Sequence, residues 1–103
     1  MGATVNEDRF GTCAVTLSPA QVAAQSTSEQ TFKVKGLKVT DAVMVIKPTH
    51  TAGVMPVHAR VSAPDTLAIT FSNPTGGALT PAAGESYLVH WFRAENVTNA
   101  VNP

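Results

Sequence analysis

The strongest constraint on this fold is a pair of alternating segments, residues 57–62 and 67–72, joined by a short turn. In both segments an apolar residue recurs at every second position: Val57, Ala59, Val61, Leu67, Ile69 and Phe71. Side chains of a β-strand point alternately to opposite faces, so this period places one face of each strand in a core. Pro64 presets its own φ and Asp65 can bond the backbone ahead of it, which favours a turn at residues 63–66. The pattern predicts a β-hairpin with His58 and Arg60 on its outer face, where they can meet a partner.

Composition limits what a chain built around this hairpin can do. Its 103 residues suffice for one small domain. Only 14% of them are charged, below the roughly 25% of an average domain. The formal net charge is zero and no basic stripe is visible, which argues against nucleic acid as a partner. No apolar run approaches the roughly 20 residues of a membrane span, and no secretion signal opens the sequence. We therefore expect no membrane partner and synthesis in the cytoplasm, where the single Cys13 serves as a small apolar strand residue.

Together with the hairpin, the remaining chain brings the prediction to about six short strands separated by Gly- and Pro-containing turns. Residues 13–17, 29–35, 42–47 and 86–93 read as strands in addition to the hairpin, whereas residues 20–28 fit a capped helical turn or an irregular edge equally well. Short strands at this spacing are typical of an all-β sandwich, here with a jelly-roll-like arrangement. We assign residues 13–93 to the sandwich, residues 1–12 to an extended N-terminal arm that contains Arg9 and Phe10, and residues 94–103 to a C-terminal tail.

Two of these strands, residues 42–47 and 86–93, are apolar on both faces. A strand without a polar face is covered on both sides, and so small a domain can supply only one cover itself. One face belongs to the core, which we predict to contain Val43, Val45, Leu67, Ile69, Phe71, Val89 and Trp91. The other face predicts a homo-oligomer contact formed by Met44, Ile46, Leu88, His90 and Phe92.

The residues that could carry chemistry match no catalytic or metal-binding pattern. His50, His58 and His90 have no metal-ligand spacing, and the chain has no cysteine pair. Ser86 lacks the glycine and the helix of a nucleophile elbow. The acidic candidates for acid–base catalysis stand at turns or strand starts, where they are common for solvation reasons: Glu29, Asp41, Asp65 and Glu85. We predict no catalytic residue, no cofactor and no metal. His58 or His90 at a subunit contact would make assembly depend on pH.

Several segments together resemble a family of small bacteriophage proteins. The resemblance covers about residues 29–92 and is carried by residues 29–37, 41–48, 52–54, 59–63, 65–71 and 80–87. The last three read Ala-Arg-Val-Ser-Ala, Asp-Thr-Leu-Ala-Ile-Thr-Phe and Thr-Pro-Ala-Ala-Gly-Glu-Ser-Tyr. This run resembles the capsid decoration, or cement, proteins of tailed phages. His58, Pro64 and Pro74 depart from its usual pattern.

The resemblance implies a β-sandwich or jelly roll that assembles as a homotrimer on the head surface. The expected function is to bridge subunits of the major capsid protein and stabilise the shell, with Arg9 and Phe10 of the arm contacting the capsid. The expected location is the virion. The alternative is a carbohydrate- or receptor-binding module of a phage tail or fibre, which needs an exposed platform of aromatic side chains from Tyr87, Trp91 or Phe92.

Overall fold

The computed structural model describes residues 8–94, which form six β-strands and no helix. The strands are β1 (Asp8–Leu17), β2 (Ser26–Lys33), β3 (Ala42–Ile46), β4 (Met55–Ala63), β5 (Thr66–Asn73) and β6 (Glu85–Ala94). They build two three-stranded sheets, with the orders β1–β6–β3 and β2–β5–β4. All pairings are antiparallel. Only the β4–β5 hairpin stays within one sheet, and the other four connections pass between the sheets. The predicted all-β sandwich is confirmed, with six described strands where a full jelly roll has eight.

The first strand is longer than the sequence predicts. Residues 8–12, assigned above to an arm, pair with β6 in an unbroken register from Asp8–Ala94 to Leu17–Glu85. Gly11 makes this stretch look like a strand break, yet it lies opposite Trp91. A Cβ atom at Gly11 would come within 2.7 Å of the indole, so the missing side chain gives the ring its place against β1. Arg9 and Phe10 are therefore sheet residues, and residues 1–7 lie outside the described part.

The central hairpin forms where the sequence predicts it, but its pairing has two irregularities, one near each end of β4. The turn falls at Pro64–Asp65 with a positive φ of 60° at Asp65, whose carboxylate accepts a hydrogen bond from the Gly36 amide at 2.8 Å. In β4 the register with β5 shifts between Pro56 and His58. This bulge leaves Val57 exposed instead of inward, so its predicted orientation is wrong.

The core lies between the two sheets and is built by the inward positions that alternation predicts. Leu67, Ile69, Phe71 and Val89 are fully buried, and Val43, Val45 and Trp91 pack against them as partly buried side chains. Residues 20–25 form no helix; they are tied across the sandwich end by backbone hydrogen bonds between Val22 and Leu79. The amide of the buried Asn73 donates to the carbonyls of Val22 and Gly77, which fixes the long loop after β5.

Candidate protein-binding face

One surface of the molecule is mainly apolar, namely the outer side of the β1–β6–β3 sheet between the rows of Phe10 and Thr16. Strand register sets its rows: Phe10, Phe92 and Ala42; Thr12, His90 and Met44; Ala14, Leu88 and Ile46; and Thr16 with Ser86. We call this surface the apolar face. None of the described side chains in these rows carries a formal charge at neutral pH with histidine neutral. The face is regular, because neither pairing contains a bulge.

The large side chains of the apolar face are open to solvent. Their exposed fractions are 74% for Phe10, 53% for Met44, 50% for Phe92, 42% for Ile46 and 41% for Leu88. At about 200 Å² per large side chain, these fractions leave roughly 500 Å² of apolar surface. A patch of this size is at the upper end of what monomeric soluble proteins expose, and such patches often mark binding sites.

Polar groups at the centre of the apolar face have a partner within it. The Thr12 hydroxyl and Nδ1 of His90 are joined by a hydrogen bond of 2.7 Å between neighbouring strands. At one end the rings of Phe10 and Phe92 lie 6.3 Å apart with a tilt of 35°. A protein that covered this face would bury few unpaired polar atoms, and burial of apolar area would drive the contact.

The outer side of the β2–β5–β4 sheet is chemically opposite. Its rows are Thr27, Ser72 and Met55; Glu29, Thr70 and His58; Thr31, Ala68 and Arg60; and Lys33, Thr66 and Ala63. We call this surface the polar face. Arg60 crosses it diagonally and donates two hydrogen bonds to Glu29, at 2.7 and 2.9 Å. The hydrogen bond from Arg60 lowers the pKa of Glu29, so the carboxylate stays charged and the pair satisfies itself. Arg60, predicted to face a partner, thus already has one within the chain.

A second feature is a cleft of about 390 Å³ at the open side of the sandwich. It lies between β3 and β4, which are edge strands of different sheets. Its lining is Val43, Met44, Val45, Pro56, Val57, His58 and Ala59. Pro56 and the bulge interrupt the β4 edge, and both devices discourage another strand from pairing there. The cleft contains no catalytic constellation.

The four carboxylates considered as acids or bases all have structural partners. Asp41 is buried and accepts two hydrogen bonds of 2.7 Å from Arg93, which also donates to the Gly36 carbonyl at 2.9 Å. The hydrogen bond from Arg93 holds the pKa of Asp41 below its usual range.

A second pair joins the end of β3 to the start of β6. Glu85 lies 2.8 Å from Nζ of Lys47 and accepts a hydrogen bond from the Thr49 hydroxyl, and the bond from Lys47 lowers the pKa of Glu85. With Glu29 bonded to Arg60 and Asp65 to a turn amide, these groups hold loops and strands in place.

The structure separates the three histidines. His50 lies in the loop after β3, His58 on the polar face and His90 on the apolar face. Among residues 8–94 no group of three or more His, Cys, Asp or Glu side chains could hold a metal ion. Tyr87 and Trp91 point inward from β6, and burial raises the pKa of Tyr87 to about 12. They are not available as an exposed aromatic platform.

The structure brings together residues that the sequence analysis placed in separate sites. The five predicted oligomer residues, Met44, Ile46, Leu88, His90 and Phe92, all lie on the apolar face. Phe10, predicted to contact the capsid from an arm, joins them beside Phe92. Arg9 lies on the opposite side of β1, level with Arg93. The sequence analysis did not predict that Thr12 and Ala14 belong to this face. The alternation within residues 12–17 places both of them on the same side of the strand and could have indicated it.

Within residues 8–94 there is no helix long and apolar enough to cross a membrane. A scan against protein-family models, a search of curated proteins and a search of solved structures each found no match.

Proposed function

We propose that this chain is a non-enzymatic structural protein of a tailed phage, which binds the outside of the head and bridges subunits of the major capsid protein. The observation that carries the proposal is the apolar face, a regular surface of roughly 500 Å² made by large exposed side chains. A surface of this kind suits the lasting contact between subunits that a homotrimer needs. The resemblance of residues 29–92 to decoration proteins supplies the location, the head surface of the virion.

The mechanism follows from multivalency. A decoration protein that assembles as a homotrimer presents several copies of each capsid-binding segment at once. After the first segment binds, each later contact is effectively intramolecular, so modest single contacts add up to a stable brace across capsid subunits. Residues 1–7, together with Arg9 at the adjoining end of β1, are the proposed capsid-binding segment. His58, on the polar face, is the proposed second contact.

The alternative function, glycan or receptor binding on a tail or fibre, has less support. Sugar-binding sites combine exposed aromatic rings with polar groups that fix hydroxyls. The exposed rings of the apolar face are Phe10 and Phe92, and the nearest polar pair, Thr12 and His90, is bonded to itself. Binding of the purified chain to host cell-surface glycans, with none to heads, would select this alternative.

Cosedimentation tests the proposal. Heads of the phage that encodes the chain, prepared without it, are mixed with purified protein and pelleted. We expect the wild-type chain to pellet with the heads and to saturate at a fixed number of copies. A chain that stays in the supernatant at excess heads contradicts the assignment.

Two truncations refine the test. Removal of residues 1–7 leaves β1 whole, so we expect a folded protein whose binding to heads falls at least about a hundredfold, the lower end of the gain that avidity provides. Removal of residues 1–12 also deletes half of β1 and its pairing with β6, so this variant serves as the matched control for loss of fold. Circular dichroism separates the two effects. Full binding by the shorter truncation would rule out residues 1–7 as the capsid contact.

A further inference from the structure

The apolar face has the size and composition of half of a protein interface. A specific interface buries about 800 Å² on each partner, with a core enriched in aromatic side chains and Met and depleted in charge. The five large side chains of the apolar face supply roughly 500 Å². The small and polar side chains around them enlarge the contact: Ala14, Ala42, Thr12, Thr16 and Ser86. The five large side chains alone thus supply more than half of the area that one partner buries in a specific complex.

The shape and charge of the face point to a partner of the same kind. Its strands keep a continuous register, so it presents a regular twisted sheet surface, and such surfaces pack on one another about 10 Å apart. The four rows contain no charged side chain, so the face brings no like charges together when its partner is an identical chain.

We infer that a second copy of this chain covers the apolar face, with β6 at the centre of the contact and the Thr12–His90 pair buried within it. The inference rests on the homotrimer of the proposed function and names the face that forms it. Its tests use the free protein without heads, so they can fail independently of capsid binding. In the contact, His90 and Leu88 of β6 lie near the middle, and Phe10, Met44, Ile46 and Phe92 surround them.

Light scattering after size-exclusion chromatography tests the inference on the full chain. At about 100 µM, where a complex with micromolar affinity is essentially complete, we expect the mass of two or more chains. Leu88→Asp places a charge at the middle of the face and should reduce the mass to one chain while leaving the circular dichroism spectrum unchanged. Thr70→Asp, at the equivalent central strand of the polar face, is the matched control and should keep the wild-type mass. A monomeric wild type, or an unchanged mass in Leu88→Asp, overturns the inference.

Thiol labelling locates the contact without placing a charge in it, so it tests the inference even if Leu88→Asp does not fold. In a Cys13→Ser background, Ala14→Cys puts a thiol on the apolar face and Thr31→Cys puts one on the polar face; both positions are exposed in the single chain. We expect maleimide to label Ala14→Cys at least about tenfold more slowly at high protein concentration than after dilution below the dissociation constant. Thr31→Cys should label at one rate throughout. Equal, concentration-independent labelling rates at both positions exclude a second copy on this face. If the protein is a monomer and only heads slow the labelling of Ala14→Cys, the face contacts the capsid instead.

Discussion

The two sheets of this sandwich share one inner chemistry and differ in their outer faces. The outer side of β6, the central strand of one sheet, carries Leu88, His90 and Phe92, and that of β5, the central strand of the other, carries Thr70 and Ser72. The apolar face leaves large side chains in solvent, whereas the polar face carries charged side chains and pairs Glu29 with Arg60. Both sheets fold by the same alternation, so the difference reflects what each face contacts. The polar face is the one that the single chain leaves to solvent, and the apolar face is the one that we propose a second copy covers.

Electrostatics gives the largest predicted contrast within the single chain. Asp41 has no exposed side-chain surface and Arg93 has 20%, while Glu29 and Arg60 are 36% and 55% exposed. Asp41→Asn removes the charge from a buried hydrogen-bonded pair and should lower the free energy of unfolding by about 2–3 kcal/mol. Glu29→Gln changes a solvated pair and should leave the melting temperature within about 2 °C of wild type. Urea and thermal denaturation measure the stability of both variants. Equal losses of stability would contradict the predicted difference between the buried and the exposed pair.

The same pair sets a pH dependence. Arg93 lowers the pKa of Asp41 in the folded chain below its value in the unfolded chain, so the unfolded state takes up a proton first as pH falls. The stability that Asp41 contributes is complete above the ordinary aspartate pKa of about 4 and is lost as pH falls through the lower folded value. Asp41→Asn should flatten the decline of stability below about pH 4. If the stability of the variant falls with pH as steeply as that of the wild type, other groups cause the decline.

Two alanines on outer faces provide the next contrast. Ala68 lies in the row between Thr31 and Arg60 on the polar face and is fully buried, whereas Ala14 on the apolar face is exposed. Ala68→Leu must displace the side chains that cover it and should cost about 1–2 kcal/mol. Ala14→Leu adds apolar surface in open space and should change the stability of the single chain by less than about 0.5 kcal/mol. Denaturation in a Leu88→Asp background excludes the contribution of self-association. A larger loss of stability for Ala14→Leu than for Ala68→Leu would contradict this prediction.

Alternation alone was enough to predict the faces of β3 and β6. It assigns Tyr87 and Val89 to the interior and Leu88 and Phe92 to the exterior, as observed. The reason is that side-chain direction in a regular strand is a local property. The same logic fails at Val57, because the bulge that turns it outward depends on how β4 pairs with β5.

Contacts between distant parts of the chain were beyond the sequence. Phe10 and Phe92 become neighbours only through the register of β1 with β6. Asp41 looked like a strand start and became buried because Arg93 of β6 reaches it. Each case requires the strand order, which the period of a single segment does not contain.

The fit of Gly11 against Trp91 has a consequence for how this chain can vary in sequence. Any side chain at position 11 would occupy space that the indole fills, so a change there is tolerated only with a smaller residue at position 91. The converse change, a smaller residue at 91 alone, leaves a void against β1. Descendants of this sequence should therefore keep both residues or exchange both, and the two positions, 80 residues apart, should be inherited as a unit.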